Sequence, residues 1–225
     1  MAGQKGGRKL STAKKLLMGG SGINWTAISF GESVEGGFYA GVMRYSDGDY
    51  ALIISPVAGE VVRQIKTESS ITAGTYSFND GLSNCSYMNT AAHPAAKYCL
   101  DYEAGGFSDW YLPARDELEL IFRNLKPGSG SNATGYRDET GSIGQNANSV
   151  PAGAAYTTTS PVQTSAAAFK TGGAEAVSST EYYWSSTSYS SSGDFAWFQR
   201  FSNGLQDRNF KNSTGRVRPV RRVKI

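Results

Sequence analysis

The sequence predicts an α+β protein in which short strands and long loops outweigh helix. Three features carry that expectation. The chain holds 27 glycines in 225 residues, with serine and threonine runs that suit turns better than helix interiors. One helix-periodic segment stands out, at 114–125. Aromatic, β-prone segments separated by polar turns occupy both ends of the folded region. At this length one large domain or two small ones would fit, and a substantial core is affordable because buried surface rises with chain length.

Residues 1–22 read as a basic arm. Lys5, Arg8, Lys9, Lys14 and Lys15 come without an acid, so the arm carries +5 and the remainder lies near −2. A short helix is expected at Leu10–Met18. The apolar stretch there is too short and broken for a signal-peptide core, so export by that route is not expected.

The folded region, 23–225, opens with "GGFYAGVMRY" (36–45) and "YALIISP" (50–56). Asp47-Gly48 between them is a hairpin signal, because glycine accepts the positive φ that tight turns need. A weak strand near Val61–Ile65 precedes polar loop. Ala91–Tyr102 reads as a helix with Pro94 in its first turn, stopped by Gly105-Gly106. "FSDWYLP" then returns in extended form. In "ARDELELIFRNL", Leu118, Ile121, Phe122 and Leu125 form one apolar stripe. Asp116, Glu117 and Glu119 read as that helix's solvated face, the first two favoured by its dipole.

Residues 127–180 read as a long Gly/Ser/Thr/Ala/Asn-rich insertion, a length of loop that is often functional or disordered. Three strand-like runs close the chain: "EYYWSST", "DFAWFQRFS" and "GRVRPVRRV". In the second run both alternating faces carry aromatics, of which one set is expected in the core. The cations of the last run (Arg216, Arg218, Arg221, Arg222, Lys224) read as a solvated terminus or a contact for an acidic protein.

Little supports catalysis. The lone histidine, His93, sits before Pro94 at a helix start, and no nucleophile elbow is present. One histidine with two distant cysteines falls short of a zinc site, and Cys85 and Cys99 read as free thiols. "SDGD" (46–49) and Asp194 offer oxygens without EF-hand spacing. No metal, cofactor or enzymatic activity is expected. The basic clusters lack a nucleic-acid motif, and no stretch is apolar enough to insert in a membrane.

"AAKYCLDYEAGGFSDWYLPARDELELIFRNL", "YYWSST", "AWFQRFSNG" and "GRVRPVRRV" together resemble a former domain of unknown function found at the C-terminus of a bacterial collagen-like adhesin. "AAFKTGGAEA" and "GESVEGGFYAG" resemble the versions carried by tailed bacteriophages. The resemblance implies a C-type-lectin-like fold: two helices, a hairpin joining the termini, and small antiparallel sheets bearing long loops. It implies core roles for Trp110 and Trp184. It places a binding surface in the loop Ser188–Asp194 and the strands after it, at Tyr189, Asp194, Trp197, Gln199, Phe201, Asn203, Gln206, Asp207, Arg208, Asn209, Phe210 and Asn212, where aromatics, serines, asparagines and an arginine also suit an adaptable paratope. Glu-Pro-Asn and Gln-Pro-Asp sugar motifs are missing. The implied function is a bacteriophage virion protein on a tail fibre or capsid. It would bind a host surface protein or glycan noncovalently, with the arm docked on other virion proteins and the chain assembled as a homo-oligomer, such as a trimer. Localisation in the virion would follow. The alternatives are a structural decoration or cement subunit and a bacterial adhesin.

Overall fold

The computed structural model describes residues 22–137 and 141–225. The cations Lys5, Arg8, Lys9, Lys14 and Lys15 and the helix expected at Leu10–Met18 lie outside these residues. The described chain is α+β. Its elements in order are β1 (Ser33–Val34), β2 (Gly37–Tyr45), β3 (Gly48–Ile54), β4 (Val61–Gln64), α1 (Gly81–Ser86), α2 (Pro94–Leu100), α3 (Arg115–Leu125), β5 (Ser149–Val150), β6 (Tyr182–Ser188), β7 (Phe195–Arg200), β8 (Gln206–Phe210), β9 (Thr214–Val217) and β10 (Val220–Lys224).

These strands form two sheets. The first has the order β1-β2-β3-β10, with β5 also paired to β2, and the second has the order β4-β9-β6-β7-β8. Asp47-Gly48 makes the β2–β3 turn, as its composition predicts, and Tyr45 pairs with Gly48 across it. The run "GRVRPVRRV" is two strands rather than one. Pro219, which has no N–H to give a ladder, separates β9 in the second sheet from β10 in the first.

The first sheet is apolar on both faces. Ala40, Met43, Leu52 and Ile54 join the main core with α3, while Ala51, Ile53 and Trp110 form a second cluster behind it. Gly41 sits at a register shift in β2 with φ +133°, and a Cβ there would meet Asn124 Nδ2 at 2.7 Å. Helix α3 lies that close to the sheet, with Asn124 Nδ2 donating to Ala40 O. Trp184 is fully buried in the main core and Trp110 is 1% exposed in the second cluster.

Three expectations need correction. First, α1 occupies a stretch that reads as polar loop, making a third helix among the described residues. At six residues it is too short to show periodicity, and Asp80 caps it by accepting Ser83 N–H at 2.9 Å. Second, α2 ends at Leu100, short of Gly105-Gly106. Third, Asp116, Glu117 and Glu119 are buried rather than solvated, at 4%, 0% and 0% exposure.

For Asp116 and Glu119 the cover is the 127–180 insertion, which lies over part of the polar side of α3. Glu119 accepts from Asn146 Nδ2 at 2.7 Å and Tyr156 OH at 2.9 Å, and pairs with Arg123 at 2.7 Å. Asn148 Nδ2 reaches Asp116. Lys126 holds the insertion's start, its buried ammonium donating to Gly130 O, Asn132 Oδ1 and Pro161 O. Buried charge is tolerated only when paired or hydrogen-bonded, and the insertion supplies those partners.

Glu117 is the hub of the N-terminal turn of α3. Its Oε1 accepts from Tyr45 OH at 2.5 Å and Tyr111 OH at 2.8 Å. Its Oε2 accepts from Ala114 N at 2.7 Å, which is half of a capping box, and from Gly81 N at 3.2 Å. Burial pushes its carboxyl up to about 7, against the pull of these donors.

The C-terminal cations are also spent within the fold. Arg216 pairs with Glu60 at 2.6 Å, Arg218 with Glu175 at 2.9 Å, Arg221 with Asp109 at 2.6 Å, Arg222 with Asp80 at 3.0 Å and Lys224 with Asp47 at 3.1 Å. The cluster that reads as a basic tail therefore ties strands to loops.

Candidate functional site

Strands β7 and β8 and the loop before β7 carry the residues expected at a binding surface. Alternation along a strand sends successive side chains to opposite sides. Phe195, Trp197 and Gln199 accordingly share one face with Phe210, Arg208 and Gln206, their partners in register.

The structure divides the expected set. Trp197, Gln199, Phe201 and Gln206 are buried, at 1%, 1%, 1% and 2% exposure, and cannot meet a partner as open side chains. Phe201 packs in the core, its ring 5.0 Å from Tyr183 and 5.7 Å from Phe122. Trp197 lies beneath Tyr189, whose ring stands edge-on at 5.8 Å, and beside the Arg115 guanidinium at 5.2 Å. Gln199 is covered by the insertion through Tyr156 OH. The expectation that one alternating set of β7 stays outside fails for the same reason as the solvated α3 face: the insertion and the 189–194 loop cover the second side.

Tyr189, Asp194, Asn203, Asp207, Arg208 and Asn209 are half-buried, and Phe210 and Asn212 are exposed. Several are tied down locally. Asn203 Oδ1 accepts from Leu205 N, Asn209 Nδ2 donates to Tyr182 OH, and Asn212 Oδ1 accepts from Ser69 Oγ. Asp194 O accepts from Lys211 N. The aromatic members make two local contacts along this strip. Phe210 stacks on Phe195 with centroids 4.4 Å apart, and the Arg208 guanidinium lies 4.4 Å over the Tyr189 ring.

Two residues extend this strip without any sequence signal. Ile71, 67% exposed, comes from the loop after β4 and borders the strip at Gly193, where a Cβ would strike its side chain. Tyr136, 88% exposed, comes from the insertion. It stands at the mouth of a cavity of about 150 Å³ whose lining includes Arg137, Trp197, Gln206, Asp207 and Arg208. Arg137 Nη1 and Gly144 N both donate to Gln206 Oε1, which fixes the amide orientation. Among the described residues, the buried Gln206 Nε2, Trp197 Nε1 and Gln199 Oε1 have no hydrogen-bond partners.

Under the Ile71 loop lie two more cations. Lys211 is 1% exposed, with Nζ 3.4 Å from Ser70 O, and Lys66 Nζ donates to Ile71 O at 2.9 Å. Burial first, then the nearby Lys66 charge, lowers Lys211 to about 8, with Asp194 opposing. His93 caps the start of α2 with both ring nitrogens on threonine hydroxyls, Thr72 and Thr90. Burial and the two lysines hold its pKa down.

Cys85 and Cys99 are free and buried. Asp47 and Asp49 of "SDGD" are engaged by Lys224 and Arg44. Among the described residues no group of three or more His, Cys, Asp or Glu is arranged to hold a metal ion, and no helix is long and apolar enough to cross a membrane. The site's chemistry is that of contact: aromatic area, a stacked guanidinium, amides and one small cavity.

The Lcl C-terminal domain family model matches residues 60–221, well over half of the chain. No curated protein matches.

Proposed function

This chain belongs to the Lcl C-terminal domain family, and from that premise we propose that it is a noncovalent surface-binding module. The family supports an adhesin-like or surface-associated function. The observation that carries the reading is a pair of half-buried contacts, Phe195 with Phe210 and Arg208 over Tyr189, flanked by the exposed Ile71, Phe210 and Tyr136. Tyr and Arg anchors set among adaptable polar residues are the composition of contact surfaces.

The finer reading is a bacteriophage virion protein that attaches to a host surface protein or glycan. It rests on the phage-like segments "GESVEGGFYAG" and "AAFKTGGAEA" and on the basic arm, which would dock on other virion proteins. A C-type-lectin-like arrangement is consistent with the β2–β3 hairpin joined by the C-terminal β10 and with a second sheet that carries long loops. Assembly as a homo-oligomer would raise weak single contacts by multivalency. No catalytic step is required.

Phe210→Ala combined with Tyr189→Ala tests this in an adsorption assay of the purified chain on candidate host cells. Both side chains lie outside the core, so the variant should keep its unfolding transition and lose adsorption by about tenfold or more. Unchanged adsorption rejects the strip as the binding surface. A wild-type chain that adsorbs to no host, yet sediments with purified virion proteins, favours a decoration or cement subunit.

A further inference from the structure

Three consecutive residues of the loop after β4 are held down by three different basic side chains. Lys211 Nζ reaches Ser70 O at 3.4 Å, Lys66 Nζ donates to Ile71 O at 2.9 Å, and His93 Nε2 is hydrogen-bonded to Thr72 Oγ1 at 2.9 Å. The loop, residues 66–75, is a strap with fastened ends. Lys66 N–H donates to Lys211 O and Thr67 N–H to Ala92 O at one end, and Ser188 N–H donates to Thr75 O at the other. Its middle rests on the two ammoniums and the imidazole, with Lys211 1% and His93 6% exposed.

The charges beneath the strap are poorly balanced. Among the described residues, the hydrogen bonds of both ammoniums go to its carbonyl oxygens, and Asp194, before β7, offsets only Lys211. Glu68 on the strap is exposed, and Lys97, one turn along α2 from His93, is tied to Asp101 at 2.7 Å. Burial first, then Lys66 and Lys211, hold the His93 pKa below the usual 6.5, so the ring is neutral at pH 7. The Thr72 and Thr90 hydroxyls beside its two nitrogens can donate or accept, so a charged ring keeps both hydrogen bonds. What charging adds is a third cation in a buried place that already holds two, and buried charge is tolerated only when paired.

We propose that residues 66–75 form an acid-released strap: protonation of His93 beside Lys66 and Lys211 lifts residues 70–72 while the two sheets stay closed. The ring binds its proton more readily once the strap is open, so opening gains ground as pH falls below 6.5 and levels off below the native pKa. Ile71, which borders Gly193, and Ser69, whose Oγ donates to Asn212 Oδ1, go with the strap. Acid then loosens one edge of the candidate contact surface, a consequence that rests on the surface-binding reading, whereas the strap itself does not.

The chain has one histidine, so its ring signals titrate by NMR without ambiguity. The native ring pKa should lie below 6.5. Between pH 7 and 5 the Lys66 and Thr67 amides should lose hydrogen-exchange protection, corrected for intrinsic rate, by about threefold or more and by the factor the measured ring pKa dictates. The β3 amides should keep or gain theirs. His93→Gln, which stays neutral, should abolish the loss, and Lys211→Met should raise the ring pKa and shrink the loss. If the Gln variant does not fold, Lys211→Met carries the test alone. A ring pKa at or above 6.5, strap amides that track β3, a loss that persists in His93→Gln, or a ring pKa unmoved by Lys211→Met overturns the proposal. Strap opening in a chain that adsorbs to no cell at either pH would keep the switch and remove the surface-binding reading. Adsorption by a chain whose strap stays closed would do the reverse.

Discussion

The Glu117 hub and the β7–β8 strip treat polar groups in opposite ways. Around Glu117, two tyrosine hydroxyls and two backbone N–H groups from three chain segments converge on one carboxylate, and none of these atoms is left over. On β7 and β8, three buried side-chain atoms lack partners, and aromatic rings lie open beside them. The contrast separates two uses of polarity in one domain. The hub uses it to fix the angle between helix, hairpin and sheet, while β7 and β8 bury three such atoms unsatisfied beneath the strip.

The hub should break hardest. Glu117→Ala strands two hydroxyls and two N–H groups in the core and should cost about 4 kcal/mol or more, read as a drop in the urea midpoint. Glu117→Gln isolates the charge. The native carboxyl titrates near 7 and the unfolded one near 4.5, so the native state holds more protons between them. Wild-type stability should therefore fall by about 2 kcal/mol as pH rises from 4.5 to 7. The Gln variant should lose that slope, and a slope that persists would move the titration elsewhere.

Within the strip, buried and exposed aromatics should part company. Trp197→Ala empties a site that is 1% exposed and should cost about 3–5 kcal/mol. Lys211→Met replaces an ammonium that has one long acceptor. It should gain about 1 kcal/mol at pH 7. The unfolded lysine holds its proton to about 10.5 and the native one to about 8, so wild-type stability should rise with pH across that window. The Met gain should shrink accordingly. Phe210→Ala, at 49% exposure, should change stability by less than about 1 kcal/mol while impairing adsorption. If Trp197→Ala and Phe210→Ala prove equally mild, the division between buried and exposed aromatics is wrong.

Local signals were readable before the structure. The stripe of Leu118, Ile121, Phe122 and Leu125 marks α3, Asp47-Gly48 marks the hairpin, and the "YYWSST" and "DFAWFQRFS" runs mark β6 and β7. Each depends on neighbours within a few residues. The burial of Glu119 depends instead on Asn146 and Tyr156, about thirty residues away in a segment with no hydrophobic period. The same insertion conceals Gln199 and contributes Tyr136. Sequence reading found the strands of the candidate site but misassigned four of their side chains, because what covers a strand is decided by distant chain.

The break at Pro219 has a kinetic consequence. One eleven-residue tail, Thr214–Lys224, supplies the link between β4 and β6 in the second sheet and the outer partner of β3 in the first. Peeling it away opens both sheets together, so the slowest-exchanging amides of β3 and β6 should share a single protection free energy. The loops outside the two sheets can open without the tail, while the frame beneath them melts as a whole.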